Sequence, residues 1–199
     1  MNKFNKAYVI TGTIGSGKSS FCNILKELGY DVIDADKIGH LILDESIKDI
    51  SEIFSKEFIK DDKVDRTKLG ELVFNSKNEL EKLENFIHPK IMDRVYLECE
   101  KNELKNKPYF VEISVFFEKC GDKRFKNVVV VYAPDEILFD RISKRNNLTK
   151  EQIQARLDKQ IDMKTKRKMA DYVIDNSKDF DNLKEQAKMF LNQINKDMQ

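Results

Sequence analysis

The chain predicts an α/β fold, a five-stranded parallel sheet flanked by helices, and three features predict it. Short β-branched runs alternate with longer helical patterns, the pattern of a parallel sheet wrapped by helices. The clearest run, Val128-Val129-Val130-Val131, is apolar throughout, as a strand covered on both faces requires. A glycine-rich stretch, Gly12 to Gly17, separates the first such run from the first helical stripe.

Five runs read as buried strands: Ala7–Thr11, Asp31–Ile33, Tyr109–Ile113, Val128–Tyr132 and Tyr172–Ile174. Phe21, Ile24, Leu25 and Leu28 form the apolar stripe of the first helix. Ser76-Lys77-Asn78-Glu79 has the form of a capping box and precedes Leu80, Leu83 and Ile87 at helical spacing. Pro89 breaks that pattern before Ile91, Val95 and Cys99 resume it, which predicts a kink or restart at His88-Pro89. Thr149-Lys150-Glu151-Gln152 is a second capping box, and Phe180, Leu183, Ala187, Phe190, Leu191 and Ile194 give the last helix one apolar face.

The second and third strands are separated by about 75 residues of helical pattern, far more than a crossover helix requires. The sequence therefore predicts one domain, with a core of residues 1–35, 108–134 and 171–199, a helical substrate-binding insertion over 36–107 and a helical lid over 135–170.

Composition narrows the function. Of 199 residues, 40% are hydrophobic, enough for a core, yet no apolar run approaches the ~20 residues of a membrane-spanning helix. The start, Met1-Asn2-Lys3-Phe4-Asn5-Lys6, lacks a signal-peptide layout. With 36 basic and 35 acidic side chains, the net charge of +1 argues against a general nucleic-acid binder. Three cysteines (Cys22, Cys99 and Cys120) without a C-x-x-C pair suit a reduced cytoplasmic protein, and two histidines (His40 and His88) leave no stock for a Cys/His zinc site. No coiled-coil pattern is visible, so a monomer is expected.

Gly12-Thr13-Ile14-Gly15-Ser16-Gly17-Lys18-Ser19 matches G-x-x-x-x-G-K-[ST] in full, between a strand and a helix as that motif requires. Glycines allow the tight turn that aims successive N–H groups at a phosphate, and the helix beginning near Lys18 adds its positive dipole end. Gly12, Ile14, Gly15, Ser16, Gly17, Lys18, Ser19 and Ser20 are thus expected to hold ATP, with Lys18 at the β- and γ-phosphates and the Ser19 hydroxyl on Mg²⁺. The fold expected is that of the P-loop nucleotide-binding proteins. The N-K-x-D of guanine-reading proteins is missing, since Asn106-Lys107-Pro108-Tyr109 lacks the aspartate. A small chain with one helical insertion suits a kinase of small metabolites.

The second strand runs into Asp34-Ala35-Asp36. Ligands of open parallel sheets bind at the C-terminal strand edges, where one carboxylate can take a hydroxyl proton and another can help hold Mg²⁺. Either aspartate could instead cap the helix that follows. Residues 141–168 carry ten basic and three acidic side chains, a local +7 in a chain whose total is +1. The arginines there, Arg141, Arg145, Arg156 and Arg167, are expected to close over a triphosphate; the lysines are expected to be solvated.

The series formed by the phosphate loop, Asp34-Ala35-Asp36 with Ile38 and His40, Leu69-Gly70-Glu71-Leu72-Val73-Phe74, Ile87-His88-Pro89, Arg141 and Arg145, and Ala170-Asp171-Tyr172-Val173-Ile174-Asp175-Asn176 resembles the dephospho-CoA kinase family, from about Tyr8 to Asn176. The resemblance implies ATP-dependent phosphorylation of the ribose 3′-hydroxyl of dephospho-CoA. It makes Asp36 the base, with Asp34 orienting it or helping to place the metal, Lys18 and Arg141 stabilising the transferring group, and Arg145 and Asn176 contacting ATP. Arg66, His88 and Lys90 would face the CoA precursor, although a histidine before a proline is commonly a structural cap. One departure is clear: where the family has D-x-P-L-L-x-E after the third strand, this chain reads Glu112-Ile113-Ser114-Val115-Phe116-Phe117-Glu118. Glu112 keeps a carboxylate that can serve Mg²⁺ through water. Two other readings stand beside this one, a kinase of a nucleoside monophosphate or sugar acid, and a nucleotide-dependent switch that phosphorylates no small molecule.

Overall fold

The structure, a computed structural model, describes residues 3–119, 121–146 and 148–197. Met1, Asn2 and Cys120, used above in reading compartment and redox state, lie outside them.

The chain divides into two compact units, Met1–Ile33 with Cys99–Gln199, and Asp34–Glu98. In chain order the elements are β1 (Phe4–Thr11), α1 (Lys18–Glu27), β2 (Val32–Asp34), α2 (Ala35–Glu45), α3 (Ile47–Ile53), a 3₁₀ turn (Lys56–Phe58), β3 (Ile59–Lys60), β4 (Lys63–Val64), α4 (Arg66–Asn75), α5 (Lys77–Glu103), β5 (Tyr109–Glu112), β6 (Phe125–Tyr132), α6 (Asp135–Asn146), α7 (Lys150–Leu157), α8 (Met163–Met169), β7 (Tyr172–Asp175) and α9 (Phe180–Asp197).

In the first unit, β2, β5, β1, β6 and β7 form one five-stranded parallel sheet in that spatial order. The five expected strands are all present. The register sets Ile10 beside Glu112 and Val129, and Tyr132 beside Asp175, so that the chain leaves β1, β5, β6 and β7 at a common edge. Val129, Val130 and Val131 are all fully buried, as an unbroken apolar strand implies. Against one face lie α1 and α9, joining Tyr8, Ile10, Phe110, Val129, Val131 and Ile174 to Phe21, Ile24, Leu25, Leu183, Phe190 and Ile194 in a single core. Phe190 is its hub, with ring centroids 5.4–6.1 Å from Tyr8, Phe21, Phe110 and Tyr172.

The C-terminal end of α5 is fixed to this sheet by one carboxylate. Glu103 Oε1 accepts the Lys6 N–H and the Tyr109 hydroxyl, each at 3.0 Å. Burial, then the neighbouring Cys99 and Glu103, push the Tyr109 phenol well above the usual range, so it stays a neutral donor.

The second unit has its own small core of Ile50, Phe58, Val64 and Leu69. It is not helical throughout. β3 and β4 form a two-residue hairpin in which Asp61 and Asp62 both take left-handed φ, at 51° and 54°. The segment Ile59-Lys60-Asp61-Asp62-Lys63-Val64 carries no hairpin signal in sequence, because Asp-Asp lacks the glycine that usually marks such a turn. Of the kink or restart expected at Pro89, the restart does not occur: α5 runs without interruption from Lys77 to Glu103. Pro89 removes one backbone donor, and the apolar residues before and after it keep helical spacing, so the helix absorbs the loss. Both capping residues serve as expected, Ser76 accepting the Glu79 N–H at 3.4 Å and Thr149 forming the full reciprocal box with Gln152. Among the described residues no helix is long and apolar enough to cross a membrane.

Replacing Phe190 by Ala removes the ring on which four aromatic neighbours pack. This is expected to lower unfolding free energy by about 3–5 kcal/mol, measured by denaturant melts monitored by circular dichroism. A loss below about 1 kcal/mol, the size of a surface substitution, would show that α9 is not a mainstay of the sheet.

Candidate active site

The glycine-rich loop leaves β1 at the edge where β5, β6 and β7 also end. Its course depends on absent side chains. Gly17, the N-cap of α1, has φ 94°, and a Cβ there would come within 2.1 Å of Asn176 Nδ2. A Cβ on Gly12 would lie 2.7 Å from the Val131 carbonyl oxygen. No side chain caps α1, so its first turn keeps the dipole and donor geometry that bind anions.

Neighbouring strands hold the loop in place. Asn176, just after β7, is buried and donates from Nδ2 to the Ser16 carbonyl at 2.8 Å. Arg141 on α6 donates from Nη2 to the Asn176 carbonyl at 3.0 Å, while its buried Nη1 has no hydrogen-bond partner. A Cβ on Gly17 would lie 3.8 Å from that Nη1, which places the guanidinium at the loop. The α6 residue Ile142 packs on the other side, against Gly15. The buried Lys18 ammonium donates to the carbonyls of Gly12 and Thr13 at 3.1 and 3.3 Å. Thr13 Oγ1 and Ser16 Oγ are buried hydroxyls without hydrogen-bond partners. Unspent donors clustered around a positive loop are what a polyanion would engage.

The Ser19 hydroxyl donates to Glu112 Oε1 at 3.2 Å. Glu112 closes β5 and is only 6% exposed. A hydroxyl and a carboxylate beside a phosphate site are hard oxygen donors of the kind Mg²⁺ takes, with substrate phosphates and water completing its shell. Among the described residues no group of three or more His, Cys, Asp or Glu could hold a metal ion. The loss of the expected proline at Ser114 does not leave the following loop unsupported. Phe116 and Phe117 are buried, Phe116 packs on Phe125, and the Ser114 carbonyl accepts the Thr11 hydroxyl at 3.3 Å.

Thus Gly12 to Ser19, Glu112, Arg141 and Asn176 are brought together within the first unit. Ser20 and Arg145 are exposed, in the first turn of α1 and the last turn of α6. Arg156, half-buried in the last turn of α7, and Arg167 on α8, its guanidinium 5.1 Å from the Tyr132 ring centroid, also lie in the first unit. Asp34, Asp36, Arg66, His88 and Lys90 belong to the second unit. Asp34 caps α2, accepting the Lys37 N–H at 2.9 Å, and Asp36 stands exposed in the first turn of that helix, one turn before exposed His40. Arg66 opens α4 and lies 4.0 Å from Asp44; His88 and Lys90 are exposed on α5, with Lys90 3.3 Å from Asp49 and above the Phe86 ring.

One expectation is corrected. The lysines of the basic segment are not all solvated: Lys166, on α8, is fully buried with its ammonium 2.6 Å from Glu118 Oε1. A buried ammonium persists only beside a compensating charge, and Glu118 comes from a loop some fifty residues earlier, so spacing within the segment could not reveal it. Gln160 was missed as well. Its Oε1 accepts the Ile14 N–H at 2.9 Å, and an isolated glutamine after a helix carries no pattern to find it by.

The chain matches the family model described as dephospho-CoA kinase over residues 8–182. It is 40% identical over 195 residues to the dephospho-CoA kinase of Campylobacter jejuni, covering 96% of this chain and 97% of that protein. Two solved structures share its fold. One, of a Thermus thermophilus protein, has a TM-score of 0.81 at 31% identity, covering 96% of this chain and 99% of the other. The second, a Campylobacter jejuni dephospho-CoA kinase, has a TM-score of 0.70 at 38% identity, covering 96% and 98%. With the glycine-rich loop, the Glu112 carboxylate and the Arg141 guanidinium assembled on that fold, the chain belongs to the dephospho-CoA kinase family.

Proposed function

We propose that this protein transfers the γ-phosphoryl group of ATP to the ribose 3′-hydroxyl of dephospho-CoA, giving coenzyme A and ADP. The observation that carries the phosphoryl-transfer part is the Ser19–Glu112 pair, 3.2 Å apart beside a glycine loop lined with unspent donors. The identity of the acceptor rests on family membership.

In this reading the loop amides and the α1 dipole bind the triphosphate, and Lys18 exchanges its carbonyl partners for the β- and γ-phosphate oxygens. Ser19 and Glu112 would hold Mg²⁺, which when bound would neutralise charge on the phosphate chain. The unpartnered Nη1 of Arg141 donates to the transferring group, where a preformed charge lowers the barrier without reorganisation. Asp36 takes the proton of the attacking hydroxyl, while Asp34 is spent on the cap and orients the helix that carries Asp36. Arg145 and Asn176 complete the ATP side, Asn176 acting through the loop it holds. Arg66, His88 and Lys90 serve the CoA precursor.

ADP release measured with dephospho-CoA, AMP, CMP and gluconate as acceptors tests the assignment. Turnover is expected with dephospho-CoA alone; preference for another acceptor would move the protein to a different kinase activity, and ATP binding with no turnover would make it a switch. Asp36→Asn is expected to reduce kcat by about 10²–10⁴-fold with ATP affinity retained by calorimetry; undiminished turnover would remove Asp36 as base. Glu112→Gln is expected to raise the Mg²⁺ concentration for half-maximal rate by about tenfold or more, as loss of one charged oxygen donor implies. An unchanged Mg²⁺ titration would place the metal elsewhere.

A further inference from the structure

The loop after β5 and the turn between α7 and α8 meet at one carboxylate. Glu118 Oε1 accepts the Ile161 N–H at 3.1 Å and lies 2.6 Å from the buried Lys166 ammonium. The ammonium faces that oxygen as a charge without hydrogen-bond alignment, and Glu118 Oε2 is buried with no hydrogen-bond partner. On the next residue of α8, the Arg167 guanidinium sits 5.1 Å from the centroid of the Tyr132 ring at the end of β6. These two contacts fix α8 and the turn before it.

That turn delivers Gln160. Its backbone N–H is bonded to the Leu157 carbonyl at 2.9 Å, and its side-chain oxygen accepts the Ile14 N–H of the phosphate loop at 2.9 Å. In an anion-binding loop the direction of each N–H decides whether it helps. The Ile14 amide is turned toward Gln160, which commits the first half of the loop to one path. Thr13, Gln160, Ile161 and Asp162 also share the wall of a cavity of about 170 Å³. Ile14 packs against the cluster of Leu138, Ile142 and Ile153, which holds its side chain, and the glutamine bond supplies the restraint on the direction of its N–H.

We infer that Gln160 is a positioning residue for nucleotide binding, locked by Glu118 and Lys166, which holds residues 12–15 of the phosphate loop in the anion-binding path before ATP arrives. This rests on the reading that the loop binds ATP. Without the restraint, ATP must order the loop itself. The cost falls on the bound ground state and the transition state alike, so it appears in KM and not in kcat.

The test compares wild type with Gln160→Ala, a partly exposed position whose truncation leaves the core intact, using ATP calorimetry, steady-state kinetics and thermal melts. Gln160→Ala is expected to raise Kd and KM for ATP about 3–10-fold, the value of one hydrogen bond. Within that variant kcat, KM for dephospho-CoA and Tm stay near wild type. Lys166→Arg, which keeps the charge facing Glu118, is expected to retain ATP affinity, and Lys166→Met to lose it as Gln160→Ala does. Unchanged ATP affinity in Gln160→Ala overturns the inference, as does a loss in which kcat, both KM values and Tm fall together. A wild-type protein that binds no ATP overturns the nucleotide reading itself, and the inference with it.

Discussion

The rest of the structure depends on how the chain turns out of β1 without side chains in its way. At Gly17 the left-handed backbone and the approach of Asn176 leave no room for a Cβ, and at Gly12 the Val131 carbonyl does the same. The two neighbours that crowd the loop come from β6 and the end of β7, the strands on one flank of β1, while Glu112 reaches it from β5 on the other. The loop's shape is therefore a property of the whole sheet. The strand register, set by continuous apolar burial, decides which carbonyl and which amide side chain press on the glycines.

The same register explains how charge is concentrated without raising the net charge of the protein. Lys18, Arg141 and the α1 dipole converge at one edge, and two carboxylates at and after the end of β5 are held by partners of their own. Glu112 meets Ser19, and Glu118 meets Lys166 and the Ile161 amide. A carboxylate left loose at this edge would repel a triphosphate. Glu112 at the end of β5, paired with Ile10 of β1, meets the Ser19 hydroxyl directly at 3.2 Å.

Much of this was legible in the sequence, and the reason is locality. A phosphate loop is eight consecutive residues, a buried parallel strand is an unbroken apolar run, and an N-cap is one polar side chain three residues before its donor. The five strands, the Thr149 box and the Asp34 cap follow from such short-range rules. Contacts between distant segments were beyond them. Arg141 and Asn176 could be named from their motifs, but not that the arginine would bond the asparagine's carbonyl while the asparagine held Ser16. The β3–β4 hairpin failed for a local reason: its two left-handed positions are aspartates, which tolerate that conformation without advertising it as glycine does.

Lys166 shows why a count of charges misleads. Its segment is strongly basic, and a solvated face is the ordinary outcome for such a run. Burying one lysine costs several kcal/mol before any compensation, so a buried ammonium has to repay that cost through something only its location provides. A well-packed apolar residue would make a helix dock as well or better. What an apolar residue cannot do is fix a carboxylate that also accepts the Ile161 N–H. Glu118 Oε1 accepts the Ile161 N–H at 3.1 Å and faces the Lys166 charge at 2.6 Å, so one oxygen is held between the turn and the helix. The ion pair is therefore better understood as a device for orientation than as a source of stability, and what it orients is the turn that carries Gln160 to the phosphate loop.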